Sequence, residues 1–197
     1  MQKKHRIFIA INLPEEIKRE LLKYSEKWPE LQARWTKKEN LHITLEFLGD
    51  LTDQELGEVC LALKDSLRGQ DIFDININNI VYGPPQRKSG QAPKMIWAVG
   101  DQSKELALLR QKLEKALLQK VSFVPEGRGS SPHITLARLS TFSFRQMEQE
   151  EIPEINEFVD LVFTIESIEV MESELKKGGP VYTILESEEL GSLQKQL

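Results

Sequence analysis

The sequence predicts an α+β fold in which antiparallel sheets line a central groove and helices lie outside. Helix and strand patterns are mixed along the 197 residues, and several predicted strands follow each other across short turns rather than across helices. The tetrapeptide His-Ile-Thr-Leu occurs at 42–45 and again at 133–136, which indicates an internal duplication. The duplication predicts two lobes related by a pseudo-two-fold axis. No stretch has the composition of a flexible linker, so we expect one two-lobed domain over residues 1–197, with room for the lobe strands to interleave along the chain.

The first third of the chain alternates between strand and helix patterns. An apolar stretch at 6–13 predicts a strand, and apolar positions at helical spacing between Pro14 and Pro29 predict a helix. Residues 34–48 have a strand pattern, in one piece or in two. A capping box at residues 52–55 then begins a second predicted helix, which closes near Gly69.

The remaining two thirds of the chain are richer in strands. Leucines at helical spacing between residues 103 and 120 predict a third helix. Breaks rich in proline, glycine and polar residues separate the strand patterns, which lie at 73–77, 95–99, 131–139, 159–170 and 181–185. Strands joined by short turns favour antiparallel pairing, because parallel strands need a long crossover connection.

Composition excludes several classes of protein. The single cysteine, Cys60, excludes an internal disulfide framework and a Cys-based zinc site, and it suits a reducing compartment. No apolar run approaches the roughly 18 residues that a membrane-spanning helix requires. The short apolar stretch near the N-terminus lacks both the length and the cleavage site of a secretory signal. We therefore expect a cytoplasmic protein without membrane contact.

Charge is distributed unevenly along the chain. Residues 1–138 contain 22 Lys and Arg against 18 Asp and Glu, whereas residues 139–197 contain 4 against 13. The net charge of −5 is atypical of proteins that neutralise many duplex phosphates at once. The mildly basic first part instead suits a ligand with one or two phosphates. The acidic stretch at 148–157 is expected to be a solvated surface.

Each copy of the repeat separates polar from apolar side chains if it forms a strand. Alternation places His42 and Thr44 on one face, and the same parity places His133 and Thr135 together in the second copy. The opposite, core-facing set in the first copy is Leu41, Ile43, Leu45 and Phe47. If the two lobes face each other, two imidazoles and two hydroxyls meet in one groove.

Such a groove has the groups needed for acid–base chemistry on a phosphodiester. One histidine can act as a neutral base while the other acts as a protonated acid, because imidazole titrates near neutral pH. Each threonine hydroxyl can bind a phosphate oxygen without adding charge. The constellation favours in-line attack, in which one side of the groove deprotonates a nucleophile and the other protonates a leaving oxygen.

The two motifs and their contexts, residues 40–49 and 131–138, resemble the two-histidine phosphoesterases. Within that superfamily they look most like the RNA 2′,3′-cyclic phosphodiesterases, long called 2′-5′ RNA ligases. The resemblance extends to the opening strand at 6–11, to Trp35 and to the closing stretch at 179–182. It implies that the protein hydrolyses RNA 2′,3′-cyclic phosphate ends to 2′-phosphomonoesters without a metal or another cofactor, and we expect it to be a monomer.

The resemblance also implies a role for individual residues. By position, His42 corresponds to the donor of a proton to the departing 3′ oxygen, and His133 corresponds to the proton acceptor that activates water. Thr44 and Thr135 correspond to the residues that hold the phosphate oxygens.

Two further positions are implied to contact the substrate. Arg138 matches a family arginine that contacts the phosphate, and Phe8 matches an aromatic residue that packs on the terminal base. Strict strand alternation turns Arg138 toward the core. Either the strand ends or a bulge there re-aims the side chain, or Arg138 is a structural ion-pair partner. For Phe8, a position in the core is an equally open alternative.

Other polar residues are expected to be unspecialised. His5, beside three basic residues, is expected at the surface. A zinc site built on the two repeat histidines lacks an evident third ligand, so no metal is expected. Five basic residues could line the path of an RNA strand, namely Lys37, Lys38, Arg87, Lys88 and Lys94. Taken singly, each is typical of an ordinary solvent-exposed surface residue.

Three alternative functions stay open at this point. The same residues would serve the reverse reaction, in which RNA ends are joined through a 2′-5′ bond. A non-catalytic module that binds RNA ends would need the histidines only for shape. The substrate could also be a small cyclic nucleotide or an ADP-ribose cyclic phosphate instead of RNA.

Overall fold

The computed structural model describes residues 3–84, 92–125, 131–148 and 150–191. Its strands are β1 (His5–Asn12), β2 (Ala33–Trp35), β3 (His42–Leu51), β4 (Phe73–Gly83), β5 (Met95–Gly100), β6 (His133–Leu139), β7 (Asn156–Ile165), β8 (Ser167–Lys176) and β9 (Gly179–Glu189). Its α-helices are α1 (Glu15–Leu22), α2 (Asp53–Ser66), α3 (Lys104–Leu118) and α4 (Thr141–Phe144). Two short 3₁₀ helices lie at Lys23–Glu26 and Lys38–Asn40.

The strands of the described residues join in one antiparallel sheet. Their order is β7-β4-β5-β6-β3-β1-β8-β9, and β2 pairs with β6 off this path. The two central strands, β3 and β6, share one registered residue pair, Ile43 with Ile134. The predicted α+β class is confirmed. The sequence predicted separate antiparallel sheets, whereas the Ile43–Ile134 pair joins them into one continuous sheet.

The sheet has two similar halves on either side of the β3–β6 junction. One half is β6-β5-β4-β7 and the other is β3-β1-β8-β9, so each copy of the repeat lies on the innermost strand of its half. Strands β4 to β7 are therefore inserted in sequence between β3 and β8. That residues 1–197 form a single two-lobed domain stays a prediction.

The core lies on the face of the sheet that the two long helices cover. Helices α2 and α3 pack against each other and against β3, and their leucines join the strand isoleucines in one buried cluster. Helix α2 begins at the predicted capping box: the Thr52 hydroxyl accepts from the Glu55 N–H, and the Glu55 carboxylate accepts from the Thr52 N–H. Helix α3 has the matching N-cap in Ser103. The opposite face of the sheet is thereby left to form the groove.

Bulges change the strand parity at the same place in both copies of the repeat. In the β1–β3 register, no residue of β1 is paired with Leu45. In the β5–β6 register, no residue of β5 is paired with Leu136, the equivalent position in the second copy. An extra residue reverses which later side chains face the core. The prediction that Phe47 faces the core is therefore wrong, because it lies on the groove face with Phe8. The bulge at Leu136 likewise turns the Arg138 side chain into the groove. Of the alternatives left open for Arg138, the structure thus has the one in which a bulge re-aims the side chain.

Several predicted boundaries also differ from the structure. The 34–48 stretch is two strands, β2 and β3, with a 3₁₀ turn between them, and the 159–170 stretch falls on β7 and β8. The first helix ends as α-helix at Leu22 and continues only as a 3₁₀ turn. The short helix α4 was not predicted. Within the described residues, no helix has the length and apolar character to cross a membrane.

His5 is not the surface residue that the sequence predicts. It is 8% exposed, with Nδ1 2.7 Å from Glu172 Oε1 and Nε2 2.9 Å from Asp53 Oδ1. The reason is topological, because β1 runs between β3 and β8 inside the sheet rather than along its edge. Side chains from β8 and from the start of α2 therefore enclose the imidazole.

Candidate active site

A groove of about 550 Å³ opens on the face of the sheet that the helices leave free. Its floor consists of side chains from β1, β3, β5 and β6, and its walls come from the segment around β2 and from the β8–β9 turn. It brings together all six residues that the sequence predicted for the site, namely His42, Thr44, His133, Thr135, Arg138 and Phe8.

The register of the central strands places the four repeat residues around one point. Because Ile43 pairs with Ile134 and both are buried, the residues that flank each of them face the groove. Extending this antiparallel register sets His42 opposite Thr135 and Thr44 opposite His133. In a regular antiparallel pair, diagonal neighbours are about 7–8 Å apart and direct ones about 4.5–5.5 Å. The imidazoles thus occupy one diagonal and the hydroxyls the other.

Hydrogen bonds determine which ring nitrogen of His42 can gain or lose a proton. Nδ1 is 2.7 Å from the backbone oxygen of Asn40, and Nε2 is 3.0 Å from Thr44 Oγ1. A carbonyl oxygen can only accept, so Nδ1 carries the hydrogen in either charge state of the ring. Nε2 is therefore the atom that gains or loses a proton.

Asn40 in turn is anchored to the opposite wall of the groove. It is 6% exposed, and its side-chain amide donates to the backbone oxygen of Pro180 at 2.9 Å. The residue thus joins the 3₁₀ turn before β3 to the start of β9. This contact fixes the carbonyl that orients His42.

Aromatic rings surround His42 on its other sides. The ring centroids of Phe8 and Tyr182 lie 5.1 Å and 5.3 Å from that of His42, and Phe8 and Tyr182 lie 5.1 Å from each other. Phe8 is only 3% exposed, whereas Tyr182 is half-buried at the groove surface. Phe8 therefore packs mainly against the catalytic candidate, and Tyr182 offers the larger aromatic surface to a ligand.

His133 is backed by a different aromatic residue. The indole of Trp97 stacks on its imidazole, with centroids 4.2 Å apart and 29° between the ring planes. The sequence analysis did not single out Trp97. Strand alternation could have identified it. Ile96 and Ala98 are apolar and buried in the core, so the side chain of the tryptophan between them lies on the opposite face of the sheet.

The described lining of the groove is positively charged although the protein as a whole is not. It contains Arg6, Arg34, Lys37 and Arg138 but no aspartate or glutamate, against a net charge of −5 for the chain. Lys38, by contrast, pairs with Glu15 at 2.6 Å. Of the other predicted basic residues, Lys94 is exposed but does not line the groove, and Arg87 and Lys88 lie outside the described residues.

The groove therefore suits an anion held between two imidazoles. Within the described ranges, no three or more His, Cys, Asp or Glu side chains cluster in a way that could hold a metal ion. The chemistry that the groove offers is hydrogen bonding from hydroxyls and guanidinium groups, together with proton transfer by two histidines.

Comparison with known proteins agrees with this geometry. The model of the LigT like phosphoesterase family matches residues 11–92 and 96–182, which include both copies of the repeat. The chain belongs to this family. The resemblance that the two motifs indicate is confirmed, and the protein is a LigT-like phosphoesterase.

Curated relatives of this LigT-like phosphoesterase span nearly its whole length. An RNA 2′,3′-cyclic phosphodiesterase of Thermus thermophilus is 31% identical over 188 residues, which cover 92% of this chain and 88% of the relative. The protein of the same name from Methanothermobacter thermautotrophicus is 28% identical over 185 residues, covering 93% and 97%.

Solved structures show the same fold. A crystal structure of a Thermus thermophilus protein superposes with a TM-score of 0.77 at 25% identity, covering 94% of this chain and 97% of the other. The crystal structure of E. coli LigT complexed with 3′-AMP gives a TM-score of 0.75 at 23% identity, covering 96% and 99%. The α+β architecture of this LigT-like phosphoesterase is thus that of its family.

Proposed function

We propose that this LigT-like phosphoesterase hydrolyses the 2′,3′-cyclic phosphate ends of RNA to 2′-phosphomonoesters. The observation that carries the proposal is the convergence of His42, Thr44, His133 and Thr135 on one face of two adjacent strands. The groove around them is cationic and has no carboxylate in its described lining. The curated relatives, which are named RNA 2′,3′-cyclic phosphodiesterases, support the same substrate.

His42 is proposed to donate a proton to the leaving oxygen. Its Nδ1–H is held by the Asn40 carbonyl, so the protonated ring can give up only the Nε2 proton. As the bond between phosphorus and O3′ breaks, the bonding electrons stay on O3′ and this proton neutralises the charge. O3′ leaves as a hydroxyl, and the phosphate remains on O2′.

His133 is proposed to act as the base on the opposite side of phosphorus. It accepts a proton from water while the water oxygen forms the new bond to phosphorus. In-line displacement requires the entering and leaving oxygens on opposite sides, and the diagonal placement of the two imidazoles supports this. After one turnover His42 is neutral and His133 is protonated, and exchange with solvent restores both.

Thr44, Thr135 and Arg138 are proposed to hold the phosphate. The two hydroxyls lie on the second diagonal, where they can donate to the two non-bridging oxygens, and Arg138 adds positive charge from the same strand as Thr135. Donors that are already in place when negative charge develops stabilise the transition state without reorganisation. Thr44 also lies 3.0 Å from His42 Nε2, so it couples phosphate binding to the position of the acid.

The terminal base is proposed to lie at the aromatic end of the groove. Phe8 forms part of its floor and contacts the base through the small exposed part of its ring. Tyr182, which meets both Phe8 and His42 edge-on, supplies the wall. Removal of the Phe8 ring should therefore disturb both the base and the orientation of His42.

The deciding experiment measures cleavage of an oligonucleotide that ends in a 2′,3′-cyclic phosphate, in the presence of EDTA. General acid or base catalysis typically contributes about 10²- to 10⁴-fold, so His42→Ala and His133→Ala should each lose activity on that scale while still binding the oligonucleotide. His5→Gln is the matched control, because His5 lies outside the groove and should leave turnover unchanged.

Each outcome of this experiment has a clear meaning. Full activity in both alanine variants would overturn the acid–base assignment. Loss of wild-type activity only in EDTA would reveal a required metal. Binding without any turnover would identify a module that recognises RNA ends. Formation of 2′-5′ joined products from a 5′-hydroxyl acceptor, in preference to 2′-phosphate ends, would favour the reverse reaction.

We also propose that the protein acts as a monomer in the cytoplasm. The one cysteine, Cys60, is free and half-buried, as suits a reducing compartment. The two copies of the repeat are contributed by the same chain, so a second protomer is not needed to complete the groove. Light scattering after size-exclusion chromatography tests the monomeric state, and a mass of about twice 22.7 kDa would contradict it.

A further inference from the structure

Two arginines face each other at one end of the groove. The register of β2 against β6 pairs Arg34 directly with Arg138, so both side chains leave the sheet on the same face. Both are exposed and both line the groove. Among the described side chains, no aspartate or glutamate lies within ion-pair distance of either one. Like charges directly opposite each other on neighbouring strands destabilise a sheet, and an anion bound between the two guanidinium groups would relieve that repulsion.

The position of Arg34 separates it from the reacting phosphate. Along β6, Arg138 lies beyond Thr135 and the Leu136 bulge, and Arg34 lies on β2 directly beside Arg138. Lys37 follows Arg34 on the same segment and also lines the groove. The two arginines therefore place positive charge beyond the repeat residues at this end of the groove.

The charge of the groove exceeds what a terminal cyclic phosphate can balance. A cyclic phosphodiester carries one negative charge, whereas the described lining holds four cationic side chains and no carboxylate. Each additional nucleotide of an RNA strand brings one further negative charge. Because the cyclic phosphate ends the strand at its 3′ side, every further phosphate lies on the 5′ side of the terminal nucleotide.

We propose that Arg34 binds the phosphodiester that joins the terminal nucleotide to its 5′ neighbour, and that the protein is therefore selective for oligonucleotide ends over cyclic mononucleotides. This inference rests on the proposed function and names the substrate class of the same site. Arg138 stays with the reacting phosphate, and the Arg34 guanidinium takes the next one. Lys37 adds positive charge from the same segment.

The test compares kcat/KM for a 2′,3′-cyclic mononucleotide with that for a dinucleotide of the same terminal base. Hydrogen bonds to charged groups are worth a factor of roughly 10 to 150, so the wild-type protein should prefer the dinucleotide by about that ratio. Arg34→Gln should bring the ratio close to one, and Arg34→Lys should keep part of it. Because Arg34 is exposed, we expect both variants to fold, and their thermal midpoints verify this.

Two controls isolate the second phosphate. Arg68→Gln removes an exposed arginine that pairs with Asp65 at 3.2 Å and does not line the groove, and it should leave the wild-type ratio intact. A dinucleotide with an uncharged methylphosphonate linkage should lose its advantage in the wild-type protein and should be insensitive to the Arg34 substitution.

Failure of this inference is distinguishable from failure of the proposed function. A wild-type protein that cleaves both substrates with equal kcat/KM overturns the second phosphate site and leaves the activity standing. The same holds if Arg34→Gln lowers kcat/KM for both substrates by the same factor. If the wild-type protein cleaves neither substrate, the proposed function itself is wrong.

Discussion

Trp97 positions the ring of His133 and is itself held by a glycine outside the groove. The indole stacks on the imidazole at a centroid distance of 4.2 Å, and its other face lies over Gly83 of the neighbouring strand β4. A Cβ at Gly83 would lie 2.3 Å from Trp97 Cδ2, well inside van der Waals contact. The position of the proposed base thus depends on the absence of a side chain at a residue that does not line the groove.

Gly83→Ala should therefore reduce activity. The added methyl group has to displace the indole, and overpacking of this kind typically costs about 1–3 kcal/mol of stability. A displacement of about 1 Å at a reacting group can cost up to roughly 100-fold in rate. We expect kcat to fall toward that limit, measured beside the urea midpoint of the variant.

Gly57→Ala is the matched control for this change. Gly57 lies on α2 with no atom within 4 Å of an added Cβ, and alanine stabilises a helix by about 0.5–1 kcal/mol relative to glycine. It should raise the urea midpoint without altering kcat. Wild-type kcat in Gly83→Ala would show that Trp97 does not position His133.

Thr44→Val tests the coupling between phosphate binding and the acid. Valine keeps the shape of the side chain but removes the hydroxyl that lies 3.0 Å from His42 Nε2. Loss of a hydrogen bond to a charged group costs about 1.5–3 kcal/mol, so kcat/KM should fall by roughly 10- to 150-fold. Thr44→Ser, which restores the hydroxyl, should recover most of the activity. If valine and serine behave alike, the hydroxyl has no part in the reaction.

Asn40→Ala tests whether a residue that does not react nevertheless orients His42. The substitution leaves the Pro180 carbonyl without its donor, which should lower the free energy of unfolding by about 1–3 kcal/mol. Because the Asn40 backbone oxygen holds His42 Nδ1, a looser backbone should reduce kcat more than it changes KM.

A second asparagine provides the comparison for that substitution. Asn78 donates to Asp101 at 2.6 Å in an exposed position that does not line the groove. Asn78→Ala should change stability by no more than about 0.5 kcal/mol and leave kcat at the wild-type level. Equal losses of kcat in the two variants would mean that Asn40 has only a structural role.

The sequence predicted the faces of the four repeat residues correctly because strand alternation is a local property. It failed at Phe47, and it left Arg138 undecided, because both positions follow bulges. A bulge is a mismatch between two strands, and the partner strands here begin 37 and 38 residues earlier in the chain. Pattern analysis of one segment contains no information about such a mismatch.

The residues that the sequence analysis missed share a second property. Asn40 acts through the Pro180 carbonyl, Arg34 stands out only because β2 pairs with β6, and Trp97 matters because β5 lies beside β6. Each acquires its role from a segment far away in the chain. The error at His5 has the same origin, since both of its carboxylate partners lie at least 48 residues away.

The His5 contacts predict a pH dependence of stability. Hydrogen bonds to Glu172 and, to a smaller extent, to Asp53 raise the pKa of His5 above its ordinary value of 6.5, although burial and the nearby Lys3 act against this shift. A raised pKa in the folded state means that the protonated ring stabilises the fold fully below about pH 6.5. That contribution is lost as the pH rises through the folded-state pKa.

The wild-type protein should therefore lose stability, relative to His5→Gln, as the pH rises from 6 past neutrality. Glutamine keeps one donor but cannot be protonated, so its contribution should be nearly constant over this range. Urea unfolding of both proteins at intervals between pH 5.5 and pH 9 measures the difference in their free energies of unfolding. A difference that is independent of pH would show that the pKa of His5 is the same in the folded and unfolded protein, so that its two carboxylate contacts do not favour the charged ring.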